Sequence, residues 1–319
     1  LARQTTYRRI LTGFPITQSP LDLYSQSEIL APQMFGFSSF YSFQNHYGQV
    51  INRSFGARSF RQVVGYQNLE ELSNKVDEFS FRVLKSECLD LPNKVYERRD
   101  VELTPQQRKM YKELKEYAIT ELENASLVSA SNVLTQILRL HQVICGFVKT
   151  DEGKVTGIEN NRLDELINVL GEMQGKVIIW ANYRHNIREI VRTLEELAGP
   201  DSVASYFGDT SEEEREETLR KFQDPDSGLL YFVGNTQTGG YGITLTEARN
   251  VVYYSNNFDL EKRLQSEDRA HRIGQVNKVT YVDLVCKDTV DEKIVKALRN
   301  KLDLAQEVLG DEKWKEWIS

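Results

Sequence analysis

The chain has 319 residues, of which 40% are hydrophobic and 27% charged, a composition typical of a soluble protein of about two domains and not of a collagen, a low-complexity chain or a disulfide miniprotein. Its net charge of −7 argues against a protein that coats nucleic acid through overall basicity. No apolar run approaches the roughly 20 residues of a bilayer span, and the cysteines and histidines are dispersed, so we expect neither a membrane partner nor a metal site.

The first fifth of the chain is basic and aromatic. Residues 1–66 contain six arginines against Asp22 and Glu28, a net charge of +4, which leaves −11 for the remainder. The same segment holds 12 of the 32 aromatic residues. Two interpretations stay open. Arginines and rings can bind a phosphate backbone and stack on bases, or the rings can form the core of a small helical unit whose arginines face solvent.

The elements before residue 161 are predicted from local signals. A strand is predicted at 9–16, and one strand without a sheet around it is typical of the end of another domain. Residues 104–107, Thr-Pro-Gln-Gln, predict a capped helix start. Helical periodicity over 105–142 then predicts two helices, and the polar residues 150–161 link them to the rest of the chain.

From about residue 162 to the end, helix-like and strand-like runs alternate. This pattern predicts an α/β fold with a parallel sheet of five or six strands flanked by helices. The predicted strands are 176–181, 202–206, 229–234, 250–255 and 278–285. The predicted helices are 162–173, 184–197, 212–222, 260–273 and 290–305. Capping boxes are expected at Ser211 with Glu214 and at Thr289 with Glu292.

The strongest chemical pattern is residues 265–275, Gln-Ser-Glu-Asp-Arg-Ala-His-Arg-Ile-Gly-Gln. On the predicted helix, Gln265, Arg269 and Arg272 are spaced i, i+4 and i+7 and therefore share one face. Two guanidinium groups on one face suit a polyphosphate, because arginine binds phosphate oxygens bidentately and can stabilise the transition state of phosphoryl transfer. The alternative is a solvated helix whose arginines pair with Glu267 and Asp268.

A second candidate is the glycine-rich turn at 239–242, Gly-Gly-Tyr-Gly, which follows the predicted strand 229–234. A glycine turn after a strand usually does no more than reverse the chain. At the carboxyl end of a parallel strand, however, such a turn can bring backbone N–H groups against a phosphate.

Several segments together resemble a known family. Residues 265–275 resemble motif VI of the superfamily-two helicases in its Swi/Snf form. Residues 234–245 resemble motif V, 176–182 resemble motif IV, and 11–16, Leu-Thr-Gly-Phe-Pro-Ile, resemble motif III. The blocks follow the family's order over nearly the whole chain, which therefore resembles a Swi/Snf-type helicase-like ATPase of the bacterial and bacteriophage kind, from motif III to motif VI.

The resemblance implies that the chain is the carboxyl-terminal part of a longer protein. Residues 1–90 would be the end of a first RecA-like lobe with a helical insertion, and 91–319 a second RecA-like lobe with a helical insertion at about 105–160. Both Gly-Lys pairs of the sequence are followed by valine, so no Walker-type phosphate loop is present. The Asp-Glu magnesium motif of a first lobe is not recognised either. We therefore expect this chain alone to be inactive.

For the complete protein, the resemblance implies ATP-dependent translocation along double-stranded DNA through backbone contacts that carry no sequence specificity. ATP with Mg²⁺ would be bound mainly by the missing first lobe, in cis or on another chain. A cytoplasmic location in a bacterial or phage-infected cell is expected. The implied catalytic residues are Arg269 and Arg272, the implied nucleotide-binding residues are Gln265, Gly240 and Gly242, and the implied DNA-binding or coupling residues are Thr12, Gly13, Asn182, Thr236 and Gly239.

Two departures from the family pattern support an alternative. Phe14 replaces the second threonine of motif III, and Ser255 stands where the family has an acidic residue before a Trp-Asn-Pro string. Both favour a non-catalytic DNA-binding or regulatory interaction module. A third possibility is a strand-separating helicase of a neighbouring superfamily-two branch, but the His-Arg-Ile-Gly-Gln ending of residues 271–275 favours the translocase.

Overall fold

The computed structural model describes residues 5–55, 58–124, 130–150, 152–239 and 242–309. The chain divides into two compact units. The first consists of Leu1–Glu87, Asp259–Glu261 and Ala297–Trp314, and the second of Cys88–Phe258, Lys262–Lys296 and Lys315–Ser319. Each unit contains its own cluster of buried hydrophobic side chains.

The first unit is built from helices and one antiparallel hairpin. Its elements are α1 (Asp22–Leu30), α2 (Phe40–Tyr47), β1 (Gly48–Phe55), β2 (Arg58–Tyr66), α3 (Leu69–Asp77) and the beginning of the short helix α4 (Lys85–Cys88). Strands β1 and β2 pair only with each other among the described residues. The sequence did not predict this hairpin.

The strand predicted at 9–16 is wrong, because these residues have no regular structure. Within them the Thr12 hydroxyl accepts a hydrogen bond from the Phe14 N–H at 3.1 Å, a local turn contact that competes with strand pairing. The residues that follow are fixed by Asp22, whose carboxylate accepts the N–H groups of residues 17, 18 and 19 just before α1.

Aromatic rings form the core of the first unit. Phe35, Phe43 and Tyr47 are almost fully buried, and Phe43 packs against Phe35 with ring centroids 5.3 Å apart and against Tyr47 with centroids 4.8 Å apart. Leu72 of α3 completes the same cluster. The interpretation of the rings as a core is therefore confirmed for these three residues, although the unit contains a hairpin as well as helices.

The second unit contains a six-stranded parallel sheet flanked by helices, which confirms the predicted fold class. The strands are β3 (Lys94–Val101), β6 (Lys176–Trp180), β7 (Val203–Tyr206), β8 (Tyr231–Gly234), β9 (Ala248–Tyr253) and β10 (Val279–Cys286). Their order across the sheet is β3-β10-β9-β6-β8-β7, and every neighbouring pair is parallel. Five of these strands were predicted, whereas β3 was missed.

The helices of the second unit connect these strands. They are α5 (Pro105–Asn124), α6 (Ala130–Ile144), α7 (Asn161–Glu172), α8 (Arg184–Ala198), α9 (Glu212–Gln223), the four-residue α10 (Thr236–Gly239), α11 (Leu260–Ala270) and α12 (Val290–Leu309). The first two residues of α11 and the last turns of α12 belong to the first unit. A small hairpin of β4 (Phe147–Lys149) and β5 (Val155–Gly157) follows α6.

Two of the predicted capping boxes are confirmed and one is wrong. Ser211 and Glu214 bond reciprocally at the start of α9, with distances of 3.2 and 2.9 Å. Residues 104 and 107 do the same before α5. At α12, the Thr289 hydroxyl accepts instead from the Asp291 N–H, and the Glu292 carboxylate accepts from the Asp288 N–H.

A buried charge network crosses the second unit. Arg162 of α7 is fully buried and forms an ion pair with Asp291 of α12. The His141 ring of α6 lies 3.3 Å from the same carboxylate. Arg162 also donates to the carbonyl oxygens of Leu284 and Ile144, at 3.0 and 3.2 Å. These bonds tie three helices to the end of β10.

Two kinds of feature are absent from the described residues. No helix there combines the length and the apolar character needed to cross a bilayer. No group of three or more His, Cys, Asp or Glu side chains within the described ranges is arranged to hold a metal ion.

Candidate functional site

The sheet of the second unit has two edges where loops gather. All six strands are parallel, so their carboxyl ends lie along one edge and their amino ends along the other. The connection from β8 to β9 passes from one side of β6 to the other, which is a topological switch point of the kind where open α/β sheets bind ligands. Since β9 has six residues, the two edges are roughly 20 Å apart.

Polar side chains cluster at the carboxyl edge. Asn182 follows β6, and its N–H donates to the buried Ser255 hydroxyl after β9 at 2.9 Å. Asn235 follows β8 and donates to the Asn182 carbonyl at 2.8 Å, while Asn257 donates to the Asn182 side chain at 3.4 Å. We call Asn182, Asn235, Ser255 and Asn257 the carboxyl-edge cluster.

Ser255 therefore has a structural role at this edge. The family's acidic residue is replaced by a hydroxyl that fixes the backbone of residue 182. Thr236, the other predicted residue here, is 5% exposed, and its hydroxyl oxygen has no hydrogen-bond partner among the described residues. A buried hydroxyl does not reach a ligand at the surface without movement.

The two predicted catalytic arginines lie together near the amino end of β9. Arg269 donates through Nη1 to the Ile243 carbonyl oxygen at 3.2 Å. Arg272 donates through its own Nη1 to the same oxygen at 3.5 Å and to the Thr244 hydroxyl at 3.3 Å. The Leu245 N–H in turn donates to the Arg269 carbonyl at 2.9 Å. We call Arg269, Arg272 and Thr244 the arginine pair site.

The helical spacing that predicted this pair holds only in part. Helix α11 ends at Ala270, so Arg272 lies in the turn beyond it and not on the same helical face as Gln265 and Arg269. The two guanidinium groups converge nevertheless, because both reach the Ile243 carbonyl. From Gln265, the backbone carbonyl accepts a hydrogen bond from Arg269 Nε at 2.9 Å.

Burial and charge act together on Arg269. Burial lowers the pKa of its guanidinium, the like charge of Arg272 lowers it further, and Asp268 opposes both. Neither arginine forms an ion pair with any described residue, which leaves two positive charges close together. Such a pair favours an anion as its third partner.

The alternative in which Glu267 pairs with these arginines is wrong. Glu267 is fully buried and accepts from Arg263 Nε and Lys94 Nζ, each at 2.9 Å. Arg263 forms a second, bidentate pair with Asp283 of β10, with distances of 2.5 and 3.0 Å. The Arg263 guanidinium also lies 3.4 Å from the ring centroid of Tyr253.

This buried network determines where α11 lies. It connects the helix to β3, β9 and β10, and it uses the carboxylate that would otherwise be available to neutralise the arginine pair. Sequence reasoning missed it. The i, i+4 spacing of Arg263 and Glu267 was a signal, but Lys94 and Asp283 are too distant in sequence to be recognised as partners.

Gln275, the last residue of motif VI, anchors the same region. It is buried, and its side-chain nitrogen donates to the carbonyl oxygens of Thr246, Ala248 and Ala270, at 2.8, 3.0 and 3.1 Å. The loop before β9 and the end of α11 are therefore held against each other. His271 lies beside them, and its ring nitrogen is 2.7 Å from the Pro92 carbonyl oxygen.

The predicted glycines differ in what the structure shows of them. Gly242 is exposed, has a φ of +73° and would have nothing within 4 Å of an added Cβ. Its backbone is therefore open to a ligand, in a conformation that other residues adopt only with strain. Gly239 ends α10. Gly240 lies outside the described residues.

The remaining predicted residues, Thr12 and Gly13, belong to the first unit. Thr12 is exposed, and its hydroxyl is occupied by the Phe14 N–H. Gly13 is exposed, with open space around it. Among its described residues, the second unit thus gathers Arg269, Arg272 and Gly242 in one neighbourhood, and Asn182 and Thr236 in another.

The arginine pair site fits a polyphosphate. The Nη2 groups of Arg269 and Arg272 donate to no described atom. The Thr244 hydroxyl accepts from Arg272, and Gly242, whose backbone is open, stands two residues before Thr244 in the chain. Fixed guanidinium groups without carboxylate partners are the donor set that phosphate oxygens require.

Two family models match the chain. The model of the SNF2-related domain matches residues 2–147, and that of the helicase conserved C-terminal domain matches residues 159–274. Both predicted arginines lie within the second match.

Relatives cover nearly the whole chain. An "uncharacterized ATP-dependent helicase" of Mycoplasma pneumoniae is 27% identical over 307 residues, which are 95% of this chain and 28% of that protein. The transcription regulatory protein SNF2 of Saccharomyces cerevisiae is 26% identical over 328 residues, covering 95% of this chain and 19% of that protein. The chain thus spans less than a third of the length of these relatives.

Solved structures share the fold. The Sulfolobus solfataricus SWI2/SNF2 ATPase core in complex with dsDNA superimposes with a TM-score of 0.54 at 24% identity, covering 90% of this chain and 59% of that one. The C-terminal part of the Fun30 ATPase domain gives a TM-score of 0.54 at 19% identity, with coverages of 69% and 97%. The resemblance drawn from the motifs is confirmed: the chain carries an SNF2-related domain and a helicase conserved C-terminal domain.

Proposed function

We propose that this chain is the part of an ATP-dependent double-stranded DNA translocase that supplies the arginine fingers. The observation that carries the proposal is the convergence of Arg269 and Arg272 on one backbone carbonyl, without a carboxylate partner among the described residues. In this proposal, ATP is held mainly by residues outside this chain. We also propose that the complete protein is located in the cytoplasm.

Each arginine has a distinct task in this scheme. Arg269 is half-buried and held by the carbonyls of Gln265 and Ile243, so its charge is fixed in place. Arg272 is exposed and held by longer bonds, so it can turn toward a phosphate. Fixed positive charge directed at the oxygens where negative charge develops lowers the barrier to phosphoryl transfer. Hydrolysis of ATP, bound with Mg²⁺, would supply the free energy for movement along DNA.

The carboxyl-edge cluster is proposed to contact the DNA backbone. Asn182 and Asn257 offer amide groups at the switch point, and Thr236 behind them would couple this edge to the loop that leads to Gly242. Amides bind phosphate and sugar oxygens of any sequence. Binding through these groups should therefore tolerate any sequence. The steep weakening with salt that we also expect would come from arginine and lysine side chains that neutralise phosphates, since neutral amides release no counterions.

The first prediction concerns Arg272 in the complete protein. We expect DNA-stimulated ATPase activity, and we expect Arg272→Ala to reduce kcat by about 10³-fold, as loss of an arginine finger does in other phosphoryl-transfer enzymes. Steady-state ATPase assays with saturating duplex DNA would measure this. Arg220→Ala is the matched control, because Arg220 pairs with Glu217 on the exposed face of α9.

The outcome also separates the alternatives. If Arg272→Ala had the wild-type kcat, Arg272 would not be an arginine finger. If the complete protein had no ATPase activity, a regulatory DNA-binding module would be favoured instead. Displacement of a triplex-forming strand without unwinding of the duplex would distinguish a translocase from a strand-separating helicase. The 319-residue chain alone is expected to hydrolyse no ATP, with or without DNA.

A further inference from the structure

The hairpin of the first unit has an unusual charge pattern. From residue 29 to residue 69 the sequence contains no Asp, Glu or Lys, but it contains Arg53, Arg58 and Arg61, all within β1 and β2. The other polar side chains of the two strands are Gln, Asn, Ser and Tyr. The hairpin therefore carries a formal charge of +3 on a chain whose net charge is −7.

Both faces of the hairpin carry exposed side chains among the residues whose burial the structure describes. Ile51, Asn52 and Arg53 are consecutive and all exposed, and neighbouring residues of a strand point to opposite faces. On β2, Arg61 and Gln62 are likewise exposed. The described residues include no third strand beside this pair. The hairpin is thus a free two-stranded ribbon and not part of a larger sheet.

The arginines of the ribbon are not neutralised. Arg61 donates to the side-chain oxygen of Asn45, and its guanidinium lies 6.0 Å from the ring centroid of Tyr41 on α2. Both partners are uncharged, and the Tyr41 side chain is 65% exposed. Arg53 bonds to no described residue. Neither arginine meets a described carboxylate, so both charges remain available to an external anion.

The register places polar side chains on both faces of the ribbon. Asn52 lies directly opposite Arg61, so an amide and a guanidinium share a face near Tyr41 and Asn45 of α2. The other face presents Arg53. Guanidinium, amide and phenol groups together can bind phosphates and the edges of bases.

We propose that this ribbon binds duplex DNA by entering its major groove. The groove is about 12 Å wide and accepts a two-stranded β-ribbon. The strands of such a ribbon are about 4.8 Å apart, and an eight-residue strand is roughly 27 Å long, longer than the groove is deep. Arginines on both faces would lie near the two phosphate backbones that border the groove.

This surface is separate from the arginine pair site and from the carboxyl-edge cluster, since all its residues belong to the first unit. The inference rests on the proposed function only in naming duplex DNA as the partner. It adds a contact that requires no nucleotide, and its test therefore omits ATP.

The test is a binding titration of the 319-residue chain with a fluorescein-labelled duplex of about 30 bp, followed by anisotropy at several salt concentrations between about 50 and 200 mM. Each phosphate contact adds about 0.9 to the slope of log K against log salt. Arg53→Ala with Arg61→Ala should raise Kd at least about tenfold near 0.1 M salt and reduce the slope by up to about 2.

Two control variants separate a groove contact from a loss of fold or of overall charge. Arg108→Ala with Arg220→Ala removes the same charge from exposed arginines paired with Glu102 and Glu217, and it should leave both Kd and slope near the wild-type values. Arg53→Lys with Arg61→Lys keeps the charge and should retain most of the slope. Circular dichroism melts would verify that each variant is folded.

A ribbon variant with the wild-type Kd and slope would overturn the inference, as would tighter binding of a single strand of the same length than of the duplex. Ribbon-dependent binding to anionic phosphatidylserine vesicles with unchanged duplex affinity would overturn it too and would assign the ribbon to a membrane surface. Duplex binding that depends on the ribbon would support the ribbon inference even if Arg272→Ala left ATPase activity unchanged. The ribbon inference and the proposed function can therefore be rejected independently of each other.

Discussion

At the scale of single residues, Asp291 is a buried carboxylate that has to balance the charge of its neighbours. Its carboxylate lies between two cations, Arg162 and His141, and also accepts the Cys286 N–H at 3.0 Å. Burial acts to raise its pKa, but the Arg162 guanidinium and His141 hold that pKa well below its usual range. One negative charge thus compensates two buried positive groups.

We therefore expect Asp291→Asn to be strongly destabilising. His141 can release its proton, but Arg162 cannot, and an uncompensated buried charge costs about 3–5 kcal/mol. Urea unfolding of the second unit would measure the loss. Asp209→Asn is the control, because its partners Arg184 and Arg188 are 66% and 67% exposed, and exposed pairs contribute about 1 kcal/mol or less. Equal losses of stability from the two substitutions would contradict a special role for Asp291.

His141 gives the same network a dependence on pH. Burial alone would lower the pKa of its imidazole, but Cys145 and the Asp291 carboxylate raise it to about 10. The folded pKa therefore lies above the usual value near 6.5, so the folded state binds more protons between these two pH values. The stabilisation is complete below about pH 6.5 and is lost as pH rises toward about 10.

The pH prediction can be isolated by comparison with His141→Gln. The difference in unfolding free energy between wild type and variant should fall with pH, by at most about 1.4 kcal/mol per unit. Urea titrations at about pH 6, 8 and 10 would measure it. A difference that stays constant over this range would show that the ring is neutral in the folded protein.

At the scale of elements, one buried lysine holds the end of a helix. The Lys176 ammonium, at the start of β6, donates to the carbonyl oxygens of Phe222 and Asp224 at 2.9 and 2.5 Å, and to the Ser227 hydroxyl at 2.9 Å. The last carbonyl groups of a helix have no partner within it, and a lysine can satisfy them. Lys176 thus joins α9 to the sheet.

Replacing this lysine should loosen α9 locally. Lys176→Met keeps most of the volume but leaves buried carbonyl groups unpaired, which costs about 2 kcal/mol. Hydrogen exchange should show faster exchange in the last turn of α9 and little change in α8. Lys112→Met, at a position 76% exposed on α5, serves as the control. Undisturbed exchange in α9 would mean that water replaces the lost donors.

The strands show which elements the sequence pattern predicts and which it misses. Strands such as β6 were predicted because a short run of consecutive apolar residues is typical of a strand buried on both faces. Strand β3 was missed because it lies at the edge of the sheet and exposes Glu97 and Arg98, so its pattern resembles a loop. The hairpin β1–β2 was missed for a related reason, since exposure of both faces removes the alternation of polar and apolar residues.

The candidate site was predictable where spacing along one helix determined the geometry and unpredictable where distant segments meet. Gln265 and Arg269 were identified from one helical turn. The end of α11 at Ala270, the Ile243 carbonyl and the Glu267–Lys94 pair depend on contacts between segments up to 173 residues apart. Arg272 was a candidate both from helical spacing and from the motif resemblance, and the spacing argument does not apply to it because α11 ends at Ala270.

At the scale of the whole molecule, the two units have separate cores, and this predicts separate stabilities. Leu72 belongs to the first cluster and Ile178 to the second, and both are fully buried. A Leu or Ile to Ala substitution in a core costs about 2–5 kcal/mol. In a protein with two cores, that cost should be confined to the unit that contains the cavity.

Hydrogen exchange measured over a series of urea concentrations can test this. Leu72→Ala should lower the protection of amides in α3 and leave those of β6 unchanged, and Ile178→Ala should do the reverse. If either substitution lowered protection in both segments equally, the two units would unfold as one cooperative body. Independent unfolding would instead mean that the DNA-binding ribbon and the arginine pair site can be varied one at a time, because damage to one core would not reach the other.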